Sequence, residues 1–188
     1  MDKDYWNEQF RSRQNKLFSP EEYLVKNIEC FRPGSVLDVA CGDGRNAIFL
    51  SKHGYDVTGI DFANEGLRRL RDFASTQGLR LNTHEINADD TERITTLGQF
   101  DNAIFVHFKP SIKTFLAVSN LVRSNGIILM TSFNYRHLLK SPQFPSQLCY
   151  GEAEFLNRSS LLDLVEYVSY SDERGFLDGY IFRKQSAP

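Results

Sequence analysis

The sequence predicts an α/β fold built on a doubly wound, mostly parallel seven-stranded sheet with a C-terminal antiparallel hairpin. Two observations lead to this fold class. Between residues 35 and 130, short apolar runs alternate with segments of helical spacing, which is typical of parallel strands joined by crossover helices. Further on, alternating stretches at 166–170 and 179–183 flank the turn residues 173–175, and this pattern predicts a hairpin.

The stretch 35–61 predicts a strand, a glycine turn, a helix and a second strand that ends in an acid. Val36–Ala40 is an apolar run suited to a buried parallel strand, and Gly42 and Gly44 let the chain turn sharply and bring bare backbone against a ligand. The helix begins near Arg45, and its unpaired N–H groups favour a ligand with acceptor atoms or negative charge. The unit therefore predicts a binding site at the carboxyl edge of the sheet.

Two cofactors fit this unit, and its acids distinguish them. Gly42, Gly44 and Ala47 satisfy the dinucleotide fingerprint, and Asp61 follows near the spacing of ~20 residues at which an acid holds a ribose, so NAD is one alternative. Asp38 precedes the turn, where a dinucleotide site has no evident use for a carboxylate. The ammonium and the ribose diol of S-adenosylmethionine would use both acids, so the sequence favours that cofactor.

The same segment resembles the glycine motif of class I S-adenosylmethionine-dependent methyltransferases, acid-x-Gly-x-Gly-x-Gly at the end of the first strand. Asp38, Gly42 and Gly44 match it, while Ala40 replaces the first glycine, a mild departure if the backbone there stays in the strand region. Residues 105–110, Phe-x-His-Phe-x-Pro, look like those of small-molecule methyltransferases related to the tellurite-resistance and thiopurine types.

This resemblance implies a Rossmann-like methyltransferase fold and transfer of a methyl group to an S, O or N nucleophile of a small-molecule acceptor. Such a protein mainly aligns the reactants and excludes water. An NAD-binding oxidoreductase and a non-catalytic methyltransferase-like binding protein are the alternatives. The residues expected to hold S-adenosylmethionine are Asp38, Ala40, Gly42, Gly44, Arg45, Asn46, Asp61, Phe62, Asp89 and Val106.

The N-terminal segment is polar with interleaved aromatic residues up to residue 18. Tyr5 and Trp6 are candidates either for a wall of the acceptor pocket or for packing in a groove between helices. In residues 19–22, Ser-Pro-Glu-Glu, the serine is the predicted N-cap of a helix that ends before Pro33.

The helix after the second strand, predicted through residues 67–74, carries interspersed arginines. A charged run of this kind is more often a solvated face than a nucleic-acid patch. Strand 3 is predicted over residues 79–86. The arginines expected on the solvated face are Arg68, Arg69 and Arg71.

Polar side chains follow strands 3 and 4 at the predicted ligand edge. Asp89 is the best match for the family's acid that recognises the adenine amino group, while Asp90 could cap the short helix that follows, and the sequence leaves these two roles open. Strand 4, residues 100–106, ends in His107, whose imidazole could take a proton from a thiol, hydroxyl or amine acceptor. His107 is the candidate catalytic residue, with a structural hydrogen-bonding role as the alternative.

The last third of the chain completes the sheet and covers its edge. Residues 127–130 predict a buried fifth strand. Residues 131–160, broken by prolines and rich in aromatics, predict a lid in which Tyr135 and Tyr150 shape an apolar acceptor pocket or serve as ordinary packing. A short helix through Leu164 is expected before the hairpin.

At 188 residues, the chain has the length of one domain and is too short for a nucleotide domain plus a separate catalytic one, which argues against a dehydrogenase. We therefore predict a single methyltransferase domain, residues 1–188. Its parts are an N-terminal cap and helix at 1–34, a cofactor-binding core at 35–130, a lid at 131–160 and the hairpin at 161–188.

Composition excludes several classes of partner. The net charge of −2 gives no general attraction to nucleic acid, and no apolar run approaches the ~20 residues of a membrane helix. Three scattered cysteines and four scattered histidines show no metal-ligand spacing, so no metal is expected. The N-terminus is charged and lacks the apolar core of a signal peptide, so we expect a cytoplasmic protein.

Overall fold

The computed structural model describes residues 2–186. Met1 and residues 187–188, which the predicted ranges 1–34 and 161–188 include, lie outside the described residues. Within the described part, the strands are β1 Ser35–Val39, β2 Asp56–Asp61, β3 Asn82–Glu85, β4 Phe100–Val106, β5 Val122–Phe133, β6 Leu162–Ser171 and β7 Phe176–Lys184. The α-helices are α1 Lys3–Ser12, α2 Glu22–Lys26, α3 Arg45–Lys52, α4 Asn64–Thr76, α5 Thr91–Thr95, α6 Ile112–Leu121 and α7 His137–Lys140.

These strands form one seven-stranded sheet of order β3-β2-β1-β4-β5-β7-β6. The first five strands in this order are parallel, and β7 lies antiparallel between β5 and β6. The predicted fold class and its terminal hairpin are confirmed. The strand order reverses between β1 and β4, so the ligand crevice of this architecture is expected at their carboxyl ends.

Side chains of β1 alternate between two hydrophobic cores on the opposite faces of the sheet. Leu37 and Val39 pack in a core that includes Phe115 of α6, whereas Val36 packs in a second core with Leu70 of α4. Because successive side chains of a strand point to opposite faces, Asp38 shares the face of Val36. The strand thus carries one carboxyl group into an apolar layer beneath α3 and α4.

Local capping explains where several helices begin. The side chain of Asp2 accepts a hydrogen bond from the backbone N–H of Tyr5 at the start of α1, and Ser111 accepts one from Thr114 at the start of α6.

None of the helices in the described part of the chain combines the length and apolar character needed to cross a membrane.

The structure corrects the predicted helix that starts at Ser19. The N-cap of α2 is Glu21, it makes no side-chain capping bond, and the helix ends at Lys26 before a 3₁₀ turn, Ile28–Cys30. The Ser19 carbonyl instead accepts a hydrogen bond from Arg45 at 3.3 Å. Ser19 is thus bonded to α3 through its carbonyl and does not cap α2.

Other boundaries also differ from the sequence prediction. Strand β3 is shorter than residues 79–86, and β5 extends beyond residues 127–130 on both sides. The helix expected through Leu164 is absent, because residues 162–171 pair with β7 as strand β6. Pairing along the whole length of β7 overrides the local helix signal.

Arg69 contradicts the prediction of a fully solvated arginine face on α4. Its side chain is 6% exposed and donates hydrogen bonds to Oδ2 of Asp43 at 3.4 Å and to the carbonyl of Gln14 at 3.0 Å. Arg68, in contrast, is exposed and pairs with acids of its own helix. Arg69 thus ties α4 to the glycine turn and to the segment after α1.

The close approach of Gly44 to α4 predicts a difference between two glycines of the same backbone conformation. Gly44 and Gly54 both have φ +86°, but a Cβ at Gly44 would lie 2.0 Å from Cδ1 of Leu70, whereas one at Gly54 meets nothing within 4 Å. Urea denaturation should show that Gly54→Ala lowers the free energy of unfolding by about 1 kcal/mol through backbone strain. Gly44→Ala should lower the free energy of unfolding by roughly 1–3 kcal/mol more than Gly54→Ala does, because the added methyl group overpacks Leu70. Equal losses would contradict the packing role of Gly44.

Candidate functional site

The turn after β1 bends through three left-handed residues. Ala40 has φ 58°, Gly42 φ 56° and Gly44 φ 86°. The departure at Ala40 is therefore not mild, because an L-residue in this region costs roughly 1–2 kcal/mol that glycine does not. The turn retains a strained alanine at the position where the family motif has its first glycine.

Asp61 joins the end of β2 to this turn. Its Oδ2 accepts a hydrogen bond from the backbone N–H of Gly42, and its Oδ1 accepts one from that of Ala63, both at 2.8 Å. Burial raises the pKa of the Asp61 carboxyl against these bonds, which favour its charged form. The amide of Phe62 also donates to this carboxylate, whose two oxygens offer about four lone-pair positions, so it can still accept a hydrogen bond from a ligand.

Asp38 is the unsatisfied acid of the site. Its side chain is 1% exposed, and Oδ2 has no hydrogen-bond partner in the described part of the chain. Burial, followed by the charge of Asp61, raises the pKa of Asp38 to about 8, although Arg45 and the amide of Ala47 act in the opposite direction. A buried carboxyl oxygen without a donor is unfavourable unless a ligand supplies one.

Helix α1 covers the glycine turn. Phe10 is buried there, and a Cβ at Gly42 would lie 3.0 Å from its Cζ. Asn7 accepts a hydrogen bond from the backbone N–H of Glu65 at 3.1 Å and so docks α1 onto the start of α4. Trp6 packs on Phe10 at a ring distance of 6.0 Å. Phe10 and Trp6 of the N-terminal segment thus pack back onto the turn.

Tyr5 lies at the outer end of the same cluster. Its ring is edge-on to that of Trp6 at 5.6 Å, and the residue is exposed. The structure therefore places both candidate pocket residues on the helix that covers the turn, Trp6 inward and Tyr5 toward solvent.

Glu21 is the centre of a buried ionic network at the same edge of the sheet. Its oxygens accept hydrogen bonds from Nη1 and Nη2 of Arg174 at 2.7 and 2.9 Å, and Oε2 lies 2.6 Å from Nε2 of His107. Arg45 adds a longer ion pair at 3.4 Å. Burial opposes ionisation of Glu21, but the hydrogen bonds from Arg174 and His107 outweigh it and hold its pKa well below the usual range.

His107 follows β4 in a left-handed conformation, with φ 52°. Its backbone N–H donates to the carbonyl of Thr131 at 2.8 Å, and its half-buried ring lies 5.4 Å from that of Phe133. Glu21 connects this imidazole to the glycine turn, because its own N–H donates to Oδ1 of Asn46 at 2.9 Å. The candidate catalytic residue and the first turn of α3 therefore contact the same residue, Glu21.

The two acids after β3 have separate roles. Asp90 caps α5 by accepting a hydrogen bond from the backbone N–H of Arg93 at 3.2 Å. Asp89 is exposed, and its Oδ1 accepts a 3.3 Å hydrogen bond from the hydroxyl of Thr114. Asp90 therefore has the capping role that the sequence offered, and Asp89 stays accessible at the edge.

The other predicted cofactor residues lie at the ends of the strands that border the crevice. Phe62 directly follows Asp61 and is half-buried, and Val106 is buried at the end of β4.

Among residues 2–186, no group of three or more His, Cys, Asp or Glu side chains could hold a metal ion.

Tyr150 packs in the core, which is the second of the two roles that the sequence left open for it. It is fully buried, its hydroxyl donates to the carbonyl of Phe108 at 3.1 Å, and its ring packs edge-on to those of Phe155 and Tyr180. Its backbone N–H bonds to the end of β5, which draws the lid segment into the core. Tyr135, the other lid candidate, is exposed at 46%.

Sequence analysis missed the residues that organise this edge. Glu21 and Glu22 stand side by side in the sequence, but the side chain of Glu21 is 0% exposed and that of Glu22 66%. Arg174 belongs to a segment whose composition indicates only a turn. No local signal separates these side chains from solvated neighbours, since their partners lie far away in the chain.

Comparison with known proteins places this geometry in a family. The family model of the tellurite resistance protein TehB matches residues 2–108, more than half of the chain. The chain belongs to the TehB family. The resemblance inferred from the glycine motif and from residues 105–110 is thereby confirmed.

Two relatives are similar to this chain in sequence. YqeM of Bacillus subtilis is 29% identical over 150 residues, which cover 73% of this chain and 61% of YqeM. TehB of Haemophilus influenzae is 31% identical over 83 residues, which cover 43% of this chain and 29% of that protein. Both are named as methyltransferases, and the matches span less than two thirds of either relative.

The crystal structure of TehB from Haemophilus influenzae superimposes with a TM-score of 0.74 at 18% identity. The superposition covers 97% of this chain and 67% of that one. At this level of identity the likeness confirms the fold, including the antiparallel hairpin after β5.

The raised pKa of Asp38 predicts a pH dependence of stability. The native state keeps a proton between the ordinary value of 3.8 and about 8, whereas the unfolded state loses it, so native stability falls as pH rises through this window. Asp38→Asn removes this dependence. Urea denaturation at a series of pH values should show the free energy of unfolding of the variant rising relative to wild type by about 2–4 kcal/mol between acidic and mildly alkaline pH. Parallel pH curves would contradict a buried, proton-holding Asp38.

Proposed function

We propose that this protein transfers a methyl group from S-adenosylmethionine to an S, O or N nucleophile of a small-molecule acceptor. One observation carries the proposal: Oδ2 of Asp38 is buried beside the glycine turn without a hydrogen-bond partner among the described residues. The cofactor's ammonium is a donor and a cation, which is what this oxygen lacks. Membership of the TehB family supports the same activity.

The predicted cofactor residues have complementary chemistry for this ligand. Asp38 would pair with the ammonium, Asp61 would accept a hydrogen bond from the ribose diol, and Asp89 would accept one from the adenine amino group. The left-handed turn keeps side chains out of the way at Gly42 and Gly44. The other proposed contacts are made by Ala40, Arg45, Asn46, Phe62 and Val106.

When bound, S-adenosylmethionine supplies a methyl group already activated on a sulfonium sulfur. The chain itself aligns the acceptor and excludes water. Helix α1 covers the turn, and Tyr5, Trp6 and Tyr135 are proposed to contact the acceptor. His107, half-buried at the end of β4, is the proposed proton acceptor.

Different observations distinguish a methyltransferase from an NAD-binding oxidoreductase and from a non-catalytic binding protein. An NAD-binding oxidoreductase with an all-parallel six-stranded sheet needs a crossover helix after β5, and the structure has the antiparallel strand β7 in that place. A non-catalytic binding protein is compatible with the strain at Ala40, and methyl transfer itself distinguishes it. We expect this protein to bind neither nucleic acid nor a membrane, and we propose that it is located in the cytoplasm.

Calorimetry tests the cofactor site with S-adenosylhomocysteine, the product that keeps the same ammonium. We expect a dissociation constant on the order of micromolar, lost in Asp61→Ala and in Gly42→Val, whose side chain would collide with Phe10. Asp72→Asn, on the exposed face of α4, is the control and should bind normally. Normal binding by both site variants would refute the site.

The same titration carries a signature of Asp38. Because its carboxyl holds a proton near neutral pH and the bound ammonium favours the ionised form, binding at pH 7 should release a proton fraction of up to about one. The heat of binding would then depend on the ionisation enthalpy of the buffer. Asp38→Asn should abolish this dependence, and a wild-type heat independent of the buffer would exclude the Asp38 contact.

A screen of small thiols, phenols and amines for production of S-adenosylhomocysteine tests the activity and His107. Once an acceptor is found, His107→Asn should lower kcat by about 10²-fold or more with little change in cofactor affinity. Asparagine suits the left-handed backbone at this position, so the substitution removes the base without straining the chain. Unchanged turnover would remove His107 from the mechanism.

A further inference from the structure

We propose that Glu21 is a positioning residue that fixes the His107 imidazole as its Nε2–H tautomer and leaves Nδ1 as the proton acceptor. The substrate class that needs this arrangement has an attacking atom that carries a proton at neutral pH, as in a phenol or a thiol. This inference rests on the proposed methyl transfer and deepens it. The hydrogen bonds of Glu21 with His107 and Arg174 support it.

The tautomer follows from one short contact. Nε2 of His107 lies 2.6 Å from Oε2 of Glu21. An ionised carboxylate only accepts hydrogen bonds, so the hydrogen between these atoms belongs to Nε2. The guanidinium of Arg174, 3.2 Å from the same nitrogen, only donates and cannot receive that hydrogen. In the neutral ring the lone pair is therefore on Nδ1.

The charges around the imidazole keep Glu21 in the ionised state that this bond needs. Arg174 donates to both of its oxygens, and Arg45 approaches from α3. Asp172 in turn pairs with Arg174 from the turn between β6 and β7. The groups that face the ring are thus one carboxylate in direct contact and one guanidinium just beyond it.

Nδ1 is free to accept a proton. Among the described residues, no group forms a hydrogen bond with this nitrogen, and the side chain is 22% exposed. The ring also contacts Phe133, which stacks on His137 at 4.0 Å and lies edge-on to Phe144 at 5.2 Å. An acceptor that reaches Nδ1 therefore has an aromatic surface nearby, which suits a phenol or an aryl thiol.

The proposed step balances without a further reactant. A lone pair of the acceptor's oxygen or sulfur forms the bond to the methyl carbon, and the electron pair of the broken carbon–sulfur bond stays on the donor's sulfur. The acceptor's proton moves to Nδ1 of His107. The resulting imidazolium is stabilised by Glu21 through the Nε2–H bond and later returns the proton to water.

Nuclear magnetic resonance tests the tautomer without turnover. The sequence has only four histidines, at 53, 84, 107 and 137, so the ¹⁵N imidazole signals of His107 can be assigned by their loss in His107→Asn. We expect the Nε2–H pattern for wild type and for Glu22→Gln, the exposed neighbour of Glu21. In Glu21→Gln the pattern should shift toward a tautomer mixture. A Nδ1–H tautomer in wild type would overturn the proposal.

The pH dependence of kcat distinguishes positioning from mere structural support. Glu21→Gln should lower kcat about tenfold and move the acid limb of the profile down by about one pH unit, because the imidazolium loses its carboxylate partner. Arg174→Gln should move that limb upward, because a positive charge near Nε2 is lost while the carboxylate stays. Loss of activity with no displacement of the limb, or displacement in one direction for both variants, would contradict the proposal.

A double-mutant cycle tests whether Glu21 acts through His107, and a comparison of two acceptors tests whether His107 takes a proton. If Glu21 acts through His107, Glu21→Gln should have no further effect on kcat in the His107→Asn background. The penalty of His107→Asn should be large for a phenol that is protonated at the assay pH and at least tenfold smaller for one already ionised. Additive effects or equal penalties would overturn the proposal, whereas failure of wild type to methylate any acceptor would instead refute the proposed function.

Discussion

Three of the carboxyl groups buried at one edge of the sheet differ in how their oxygens are satisfied, and this difference shapes the candidate site. Asp61 is satisfied by backbone N–H groups, Glu21 by the side chains of Arg174 and His107, and Asp38 keeps one oxygen without a partner. Buried carboxylates are tolerated only when paired or hydrogen-bonded. The fold therefore fixes two of these acids and leaves the third with the unpaired oxygen to which we propose that the ammonium of S-adenosylmethionine binds.

The turn that carries these contacts is held under strain by its surroundings. Ala40 adopts a backbone conformation that favours glycine, and Gly44 approaches Leu70 too closely for any side chain. Asp43 and Arg69 pair on one side of the turn, and Phe10 covers it on another. Strain of this kind persists because several independent contacts determine one conformation, which suits a site that must be ready before its ligand arrives.

Much of this architecture could be predicted from the sequence, because short-range patterns encode it. The strand, turn and helix around Gly42 follow from an apolar run and adjacent glycines, and the terminal hairpin follows from alternation around a turn. Burial of Glu21 could not be predicted, since its partners Arg174 and His107 lie 153 and 86 residues away. The role of Tyr150 stayed open for the same reason, because an aromatic residue in a loop looks alike in the sequence whether it faces a ligand or the core.

The pairing of Glu21 with Arg174 also bears on when the contacts around His107 form during synthesis. Glu21 emerges from the ribosome 153 residues before Arg174, which lies between β6 and β7 and past residue 108, where the match to the family model ends. A nascent chain can therefore build β1, its glycine bend and β2 while the imidazole of His107 still lacks its oriented neighbour. Since such long-range closure comes late in folding, the geometry proposed for proton acceptance is assembled only after the hairpin of β6 and β7 has been made.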